Sequence, residues 1–257
     1  MLNNSLNHLA IIMDGNASYA KNNGLSISDG HLAGAENLER LLLYLLKLDI
    51  SYISLYCFSR ENFQRPKKEI DFLFGVFGKK LLEKANILIK NKVRLKIIGE
   101  LSLFPDNIRN IIKDAIDKTS SYEHKKTLVL AFGYSGQDEI VNASKILLEK
   151  KLTEIYSKIK NNNNQNIKEI FESQLEKNKE ITAKSFYEFM YDNEMPDVDL
   201  MIRTGGKHRI SNFLLWHVAY SELYFVNKYW PQVNSNDLSN AIENFKKSKR
   251  SFGKRID

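Results

Sequence analysis

The sequence predicts an α/β fold, a mainly parallel central sheet flanked by helices. Three observations lead there. Short apolar segments alternate with longer amphipathic ones over residues 8–150, the short segments are rich in β-branched and aromatic residues, and several of them run straight into polar, glycine-bearing turns. A βαβα alternation requires crossover helices, which set the strands parallel and cover the faces of the sheet.

The elements follow in order. Residues 8–13 (HLAIIM) form a buried strand ending in the turn Asp14-Gly15-Asn16. Over residues 33–48, Leu38, Leu41, Leu42, Leu45 and Leu46 recur at three and four residues, the spacing of an amphipathic helix. Residues 51–58 (SYISLYCF) are β-rich and lead into a polar turn that closes at Arg65-Pro66. Residues 67–90 read as a long helix interrupted by Gly75 and Gly78. Each interior glycine costs about 1 kcal/mol relative to alanine, so the helix bends, a group sits close to that face, or the glycines mark an ordinary helix contact. Residues 93–98 and 127–132 read as strands, 106–119 and 138–150 as helices. A polar, low-complexity stretch, residues 161–166 (NNNNQN), reads as a disordered surface loop between charged helical segments. A strand at 198–202 runs into Arg203-Thr204-Gly205-Gly206, followed by an apolar segment at 213–218, a strand at 222–225 and a charged helix from Asp237. There is no internal repeat, and one domain spanning 1–257 is expected.

Composition narrows the function. Cys57 is the only cysteine, which excludes an intrachain disulfide and a Cys-rich zinc site and fits a reducing compartment. No run approaches 18 apolar residues and the first residues lack a signal-peptide pattern. A cytoplasmic protein is expected. The 38 Lys and Arg against 31 Asp and Glu give +7, which suits an anionic ligand or membrane surface. The basic residues are spread through helices and match no finger, basic-zipper or RNP pattern, so nucleic acid is not the expected partner.

In open parallel sheets, ligands bind beyond the carboxyl ends of the strands. Three loops there carry polar clusters: Asp14-Gly15-Asn16; Ser59-Arg60-Glu61-Asn62 with Arg65; and Arg203-Thr204-Gly205-Gly206 with Arg209, Ser211 and Asn212. In the third, two glycines let the backbone approach an oxyanion while two arginines supply forked donors, a diphosphate cradle without a P-loop. The same composition also makes ordinary solvated turns. Asp14 is suited to Mg²⁺, which takes few carboxylates and fills its shell with water and substrate phosphate, or it is simply a turn residue. His31, after Gly30, either caps the helix that follows or donates to a phosphate. No GxxxxGK[ST], GxGxxG or HExxH occurs, so nucleotide and zinc-protease readings lack their signals.

Longer blocks then match a family. His8-Leu9-Ala10-Ile11-Ile12-Met13-Asp14-Gly15-Asn16, Gly30-His31-Leu32-Ala33-Gly34, Phe58-Ser59-Arg60-Glu61-Asn62-Phe63-Gln64-Arg65-Pro66 and Asp199-Leu200-Met201-Ile202-Arg203-Thr204-Gly205-Gly206 resemble signature blocks of the cis-prenyltransferases, in particular the bacterial undecaprenyl diphosphate synthases. Arg209-Ile210-Ser211-Asn212-Phe213-Leu214-Leu215-Trp216 and Glu222-Leu223-Tyr224-Phe225 do so too. The likeness runs in order from His8 to Gly253, with residues 151–195 poorly matched.

The resemblance implies a hydrophobic tunnel, a homodimer, peripheral contact with membrane and Mg²⁺-dependent condensation of isopentenyl diphosphate with an allylic prenyl diphosphate. It implies that Asp14, with Gly15 beside it, positions Mg²⁺ and the allylic leaving group. Arg203, Arg209 and Ser211 would hold the isopentenyl diphosphate, with Glu222 a metal ligand reaching across the dimer. Asn16, Ser59, Asn62 and Arg65 match positions that orient substrates and the proton-removal step, and His31 one near the allylic diphosphate.

Departures from the pattern gather at the allylic site. Ser18 and Ile27 stand where arginines are expected, and Ser251-Phe252-Gly253 replaces Arg-x-Gly, with Arg250 one residue earlier. Each charge-assisted bond to phosphate is worth about 1.5–3 kcal/mol, so Lys21, Arg60 or Lys207 would have to compensate. Two other readings stay open: irregular coupling of prenyl diphosphates or cyclisation on the same scaffold, and a catalytically weak partner subunit of an active homologue.

Overall fold

The computed structural model describes residues 5–120, 123–161 and 166–250. Its elements run β1 (His8–Ile12), α1 (Asn16–Asn22), α2 (Ile27–Lys47), β2 (Tyr52–Ser59), α3 (Lys67–Lys90), β3 (Val93–Ile98), α4 (Asp106–Ser120), β4 (Lys126–Tyr134), α5 (Gly136–Asn161), α6 (Ile167–Asn178), α7 (Ala183–Phe186), β5 (Leu200–Arg203), β6 (Glu222–Phe225) and α8 (Ser235–Lys247). They form two compact units, Met1–Ser135 with Pro196–Asp257, and Gly136–Met195.

The first unit holds a six-stranded sheet in the order β3-β4-β2-β1-β5-β6, with every neighbouring pair parallel. The expected parallel α/β architecture is therefore the one observed. Central β1 pairs with both β2 and β5, and Ile12 stands level with Tyr56 on one side and Arg203 on the other. Parallel strands in this register end at one edge, so three loops far apart in sequence open together. Every residue of β1 is buried. The leucine stripe of α2 buries Leu41, Leu42, Leu45 and Leu46 against the sheet core. Phenylalanines of α3, β4 and the turn before α4 close the other part of the core: Phe77 stacks on Phe132 with ring centroids 3.9 Å apart, and Phe104 on Phe132 at 4.5 Å.

Several boundaries differ from expectation for local reasons. Helix α2 starts at Ile27 because Ser26 and Asp29 form a capping box, the Ser26 Oγ accepting from Asp29 N–H at 3.1 Å and Asp29 Oδ2 accepting from Ser26 N–H at 3.1 Å. His31 therefore lies inside the helix and does not cap it. The turn after β1 continues as α1, whose N-cap is Gly15 at φ +108°; a Cβ there would meet the Tyr229 ring. At Gly78 a Cβ would lie 3.2 and 3.3 Å from Ile111 and Ile108 of α4, whereas Gly75 has nothing within 4 Å, so the glycines of α3 mark one close helix contact. Of the expected polar loop, 162–165 lie outside the described residues.

The second unit consists of α5–α7, with Ile170, Met190 and Met195 buried. Leu148, Leu152 and Tyr156 of α5 and Ile167, Phe171 and Leu175 of α6 are exposed, each set on one helical face. No helix among the described residues is long and apolar enough to cross a membrane.

Candidate active site

The site is organised where β1 and β5 end. Arg203, with its side chain 5% exposed, donates from Nη2 to Asp14 Oδ2 at 2.6 Å. Its Nη1 donates to Ser211 Oγ at 2.7 Å and to the Arg209 carbonyl at 2.6 Å. Both ends of the guanidinium are thereby fixed, a planar fork used to hold two loops at once. The Asp14 backbone is clamped as well. Thr204 Oγ1 accepts from Asp14 N–H at 2.9 Å and donates to the Asp14 carbonyl at 2.8 Å, and that carbonyl also accepts from Trp230 N–H at 3.0 Å. Gly205, at φ +83°, leaves room for this contact, since a Cβ there would stand 3.0 Å from the Asp14 carbonyl oxygen.

The loop after Arg209 is conformationally costly. Ser211 and Asn212 have φ of +45° and +62°, a region non-glycine residues enter rarely and which stores strain of order 1–3 kcal/mol each. Side-chain bonds hold it there. Asn212 Nδ2 donates to Glu61 Oε1 at 3.0 Å and Ser135 Oγ at 2.9 Å, and the Tyr56 ring stacks on Phe213 at 4.4 Å. Burial, helped by the Glu61 charge, pushes the Tyr56 hydroxyl well above the ordinary tyrosine range. Arg209 is exposed, and its guanidinium has no hydrogen-bond or ion-pair partner among the described residues.

In the second loop, Ser59 precedes a 3-10 turn (Arg60–Gln64) and its N–H donates to Asn62 Oδ1 at 3.1 Å. Arg65 Nη1 donates to Glu69 Oε1 at 3.0 Å, and the same oxygen lies 3.1 Å from His31 Nε2. Burial lowers the His31 pKa against the opposing hydrogen bond to Glu69.

These loops surround one cavity of about 690 Å³, whose wall includes Asp14, Asn16, His31, Ser59, Asn62, Arg65, Arg203, Arg209 and Ser211. Leu38 of α2, Leu73, Val76 and Phe77 of α3, and Cys57 and Phe132 of the sheet continue it as an apolar channel. Burial pushes the Cys57 thiol up to about 12, so it acts there as a small apolar wall. Nine of the eleven residues picked from sequence thus meet on one surface. Gly15 shapes the start of α1 instead. Glu222 does not line the cavity: it is level with Leu200, three residues back from Arg203 along the sheet, about 10 Å away.

The departures are equally plain. Ser18 and Ile27 are exposed, and neither they nor Lys21, Arg60 and Lys207 line the cavity. Arg250 pairs with Asp199 at 2.7 Å. Residues 251–253 lie outside the described residues. Sequence reasoning missed Glu69, Trp230 and the clamp formed by Thr204. Only Glu69 left a signal, its spacing of four from Arg65 across a helix start.

One hard oxygen on the wall is unspent: Asp14 Oδ1 has no partner among the described residues. Asn16 Oδ1 is likewise without a partner but is buried against Gly34, in space that a Cβ there would fill. Among the described residues no three His, Cys, Asp or Glu side chains converge. This donor set fits Mg²⁺, which takes one or two protein oxygens and completes its shell from water and phosphate.

A cavity with a charged head and an apolar body is the form of site that takes an anionic lipid. The family described as "Putative undecaprenyl diphosphate synthase" matches residues 12–253. The chain is 43% identical over 252 residues to an isoprenyl transferase of Rickettsia felis, covering 98% of this chain and 95% of that one. It is 37% identical over 246 residues to one of Thermotoga maritima, covering 96% of each. Among solved structures it is similar to lavandulyl diphosphate synthase from Lavandula x intermedia in complex with dimethylallyl diphosphate (TM-score 0.80, 27% identity, 96% of this chain and 98% of that one). It is also similar to a probable undecaprenyl diphosphate synthase from Campylobacter jejuni (TM-score 0.74, 32% identity, 97% and 99%). The chain belongs to the undecaprenyl diphosphate synthase family of prenyltransferases and is an enzyme of prenyl transfer.

Proposed function

We propose that the protein condenses isopentenyl diphosphate with an allylic prenyl diphosphate to give a cis-prenyl diphosphate, with Mg²⁺ required and the whole chain acting as one prenyltransferase domain. The observation that carries this is the Asp14–Arg203 pair on the wall of a cavity that continues as an apolar channel. Such a cavity grips a diphosphate at one end and shelters a hydrocarbon tail at the other.

In the reaction the allylic C–O bond breaks with its electron pair leaving on diphosphate. The C3=C4 π pair of isopentenyl diphosphate forms the new bond from C4 to that carbon, and as a proton leaves C2 its bonding pair becomes the new C2=C3 double bond. Asp14 would hold Mg²⁺, which would supply charge neutralisation to the leaving oxygens. Arg203, Arg209 and Ser211 hold the diphosphate of isopentenyl diphosphate, with Arg203 set in place beforehand by its bonds to Asp14 and Ser211. Asn16, Ser59, Asn62 and Arg65 orient the substrates and serve the proton-removal step, and His31 lies near the allylic diphosphate. Leu38, Leu73 and Phe77 keep water from the electron-poor carbon.

A homodimer accounts for two features. The exposed apolar faces of α5 and α6 are surfaces that monomers rarely leave to water, and Glu222 needs a second copy to come near a metal at Asp14. A long prenyl product, insoluble in water, supports peripheral contact with membrane.

A second reading, irregular coupling of short prenyl diphosphates, is favoured by the likeness to lavandulyl diphosphate synthase together with the exposed Ser18 and Ile27. Incubation with Mg²⁺, isopentenyl diphosphate and allylic diphosphates of graded length, with products identified by mass spectrometry, separates the two. Regular polymers are expected; short branched or cyclic products establish the second reading. Turnover only with an added homologue makes the chain a partner subunit.

A further inference from the structure

The channel is bounded by two helices that are tied together twice. At the diphosphate end, His31 of α2 meets Glu69 of α3 at 3.1 Å. Further along the same two helices, Glu39 of α2 accepts from Lys80 of α3 at 2.8 Å and also pairs with Lys84. The second tie is eight residues beyond the first on α2 and eleven on α3, about 12 and 17 Å along the helix axes. Lys80 itself lines the cavity, one turn past Val76 and Phe77, and Leu38, the residue before Glu39, lines it from α2. These are the last wall residues on their helices. The apolar channel therefore ends at an ammonium bridged to a carboxylate, with Lys80 30% and Glu39 37% exposed at the rim. Their mutual hydrogen bond raises the Lys80 pKa and, with Lys84, lowers that of Glu39, so both stay charged.

We infer that the Glu39–Lys80–Lys84 bridge is a specificity gate that sets the length of prenyl chain the channel accepts. Apolar contact guides the tail as far as Phe77. Beyond it the hydrocarbon must pass a hydrated ion pair and spread two helices that the pair holds together, which gains nothing from burial and slows further elongation. This rests on the condensation reading above.

The test is the product-length distribution of purified protein given Mg²⁺, isopentenyl diphosphate and a short allylic primer. Lys80→Met and Glu39→Gln should each lengthen the mean product by at least one isoprene unit. The double exchange Glu39→Lys with Lys80→Glu should return it toward that of the unaltered protein, because the pair is rebuilt with reversed sign. Turnover with the same distribution in both single variants overturns the gate alone, as does a double exchange no different from the singles. Unaltered protein that forms no prenyl product overturns the condensation reading, and the gate with it.

Discussion

Arg203 and Asp14, 189 residues apart in sequence, are joined at 2.6 Å across the ends of two adjacent strands. One oxygen of Asp14 holds the guanidinium, while the other has no partner among the described residues. Replacing Asp14 by Asn keeps an acceptor for Arg203 and removes the charge. Turnover should fall by about 10³-fold or more, a loss on the scale of removing a principal electrostatic contact, with little change in the urea midpoint. Asp14→Ala adds instability beyond that of Asp14→Asn, because it leaves Nη2 of the buried Arg203 guanidinium without an acceptor. A rate near that of the unaltered enzyme in Asp14→Asn would remove the metal role assigned to this residue.

Glu69 acts through His31 and Arg65, both bonded to one of its oxygens. Glu69→Gln should raise KM for the allylic diphosphate roughly tenfold, the worth of one charged hydrogen bond, with a smaller effect on KM for isopentenyl diphosphate. A double-mutant cycle with His31→Ala should give a coupling of at least about 0.5 kcal/mol. Strict additivity would separate the two residues.

Ser18 is exposed on α1, just after Asn16 on the cavity wall. Ser18→Arg should tighten binding of the allylic diphosphate tenfold or more, from about 1.5–3 kcal/mol for a charge-assisted bond to phosphate. Calorimetry with a non-reactive allylic analogue reads this directly, and unchanged affinity would mean that the site grips its ligand without that position.

Burial holds His31 and His217 below the usual histidine range, His217 to about 3 with the nearby His8 charge adding to the effect. The unfolded chain takes up protons on both near pH 6.5 while the folded chain refuses them. Their contribution to stability is thus fully present above about pH 6.5 and is lost as pH falls, for His217 at up to about 1.4 kcal/mol per pH unit. Urea midpoints measured from about pH 8 to pH 5 should fall on the acid side, and His217→Phe should flatten that fall. A midpoint that rises on acidification would contradict the assignment.

The sheet was legible from sequence because buried parallel strands are short apolar runs, and β3 and β6 match the expected spans residue for residue. The start of α2 was not, because apolar spacing begins at Leu38 while the Ser26–Asp29 box that nucleates the helix is polar. Helix α1 hid behind Asp14-Gly15-Asn16, where a left-handed glycine reads equally as turn or N-cap. That Asp14 and Arg203 come together was legible because their motifs sit at the ends of strands, and Ser211 joined them through the family likeness of its block. Lys80 and Glu39 were not, since charges on a helix are ordinarily solvated and nothing local says that they face each other. Trp230 reaches Asp14 through its backbone N–H, which carries no residue-specific signal at all.

Strand β1 lies between β2, which follows it within the first sixty residues, and β5, which completes it only at Arg203. During synthesis the ribosome therefore delivers the acid long before the arginine, the threonine and the tryptophan that immobilise it. A nascent or prematurely terminated polypeptide keeps one flank of β1 unsatisfied, and the walls of the pocket come together only once the last quarter of the message has been read.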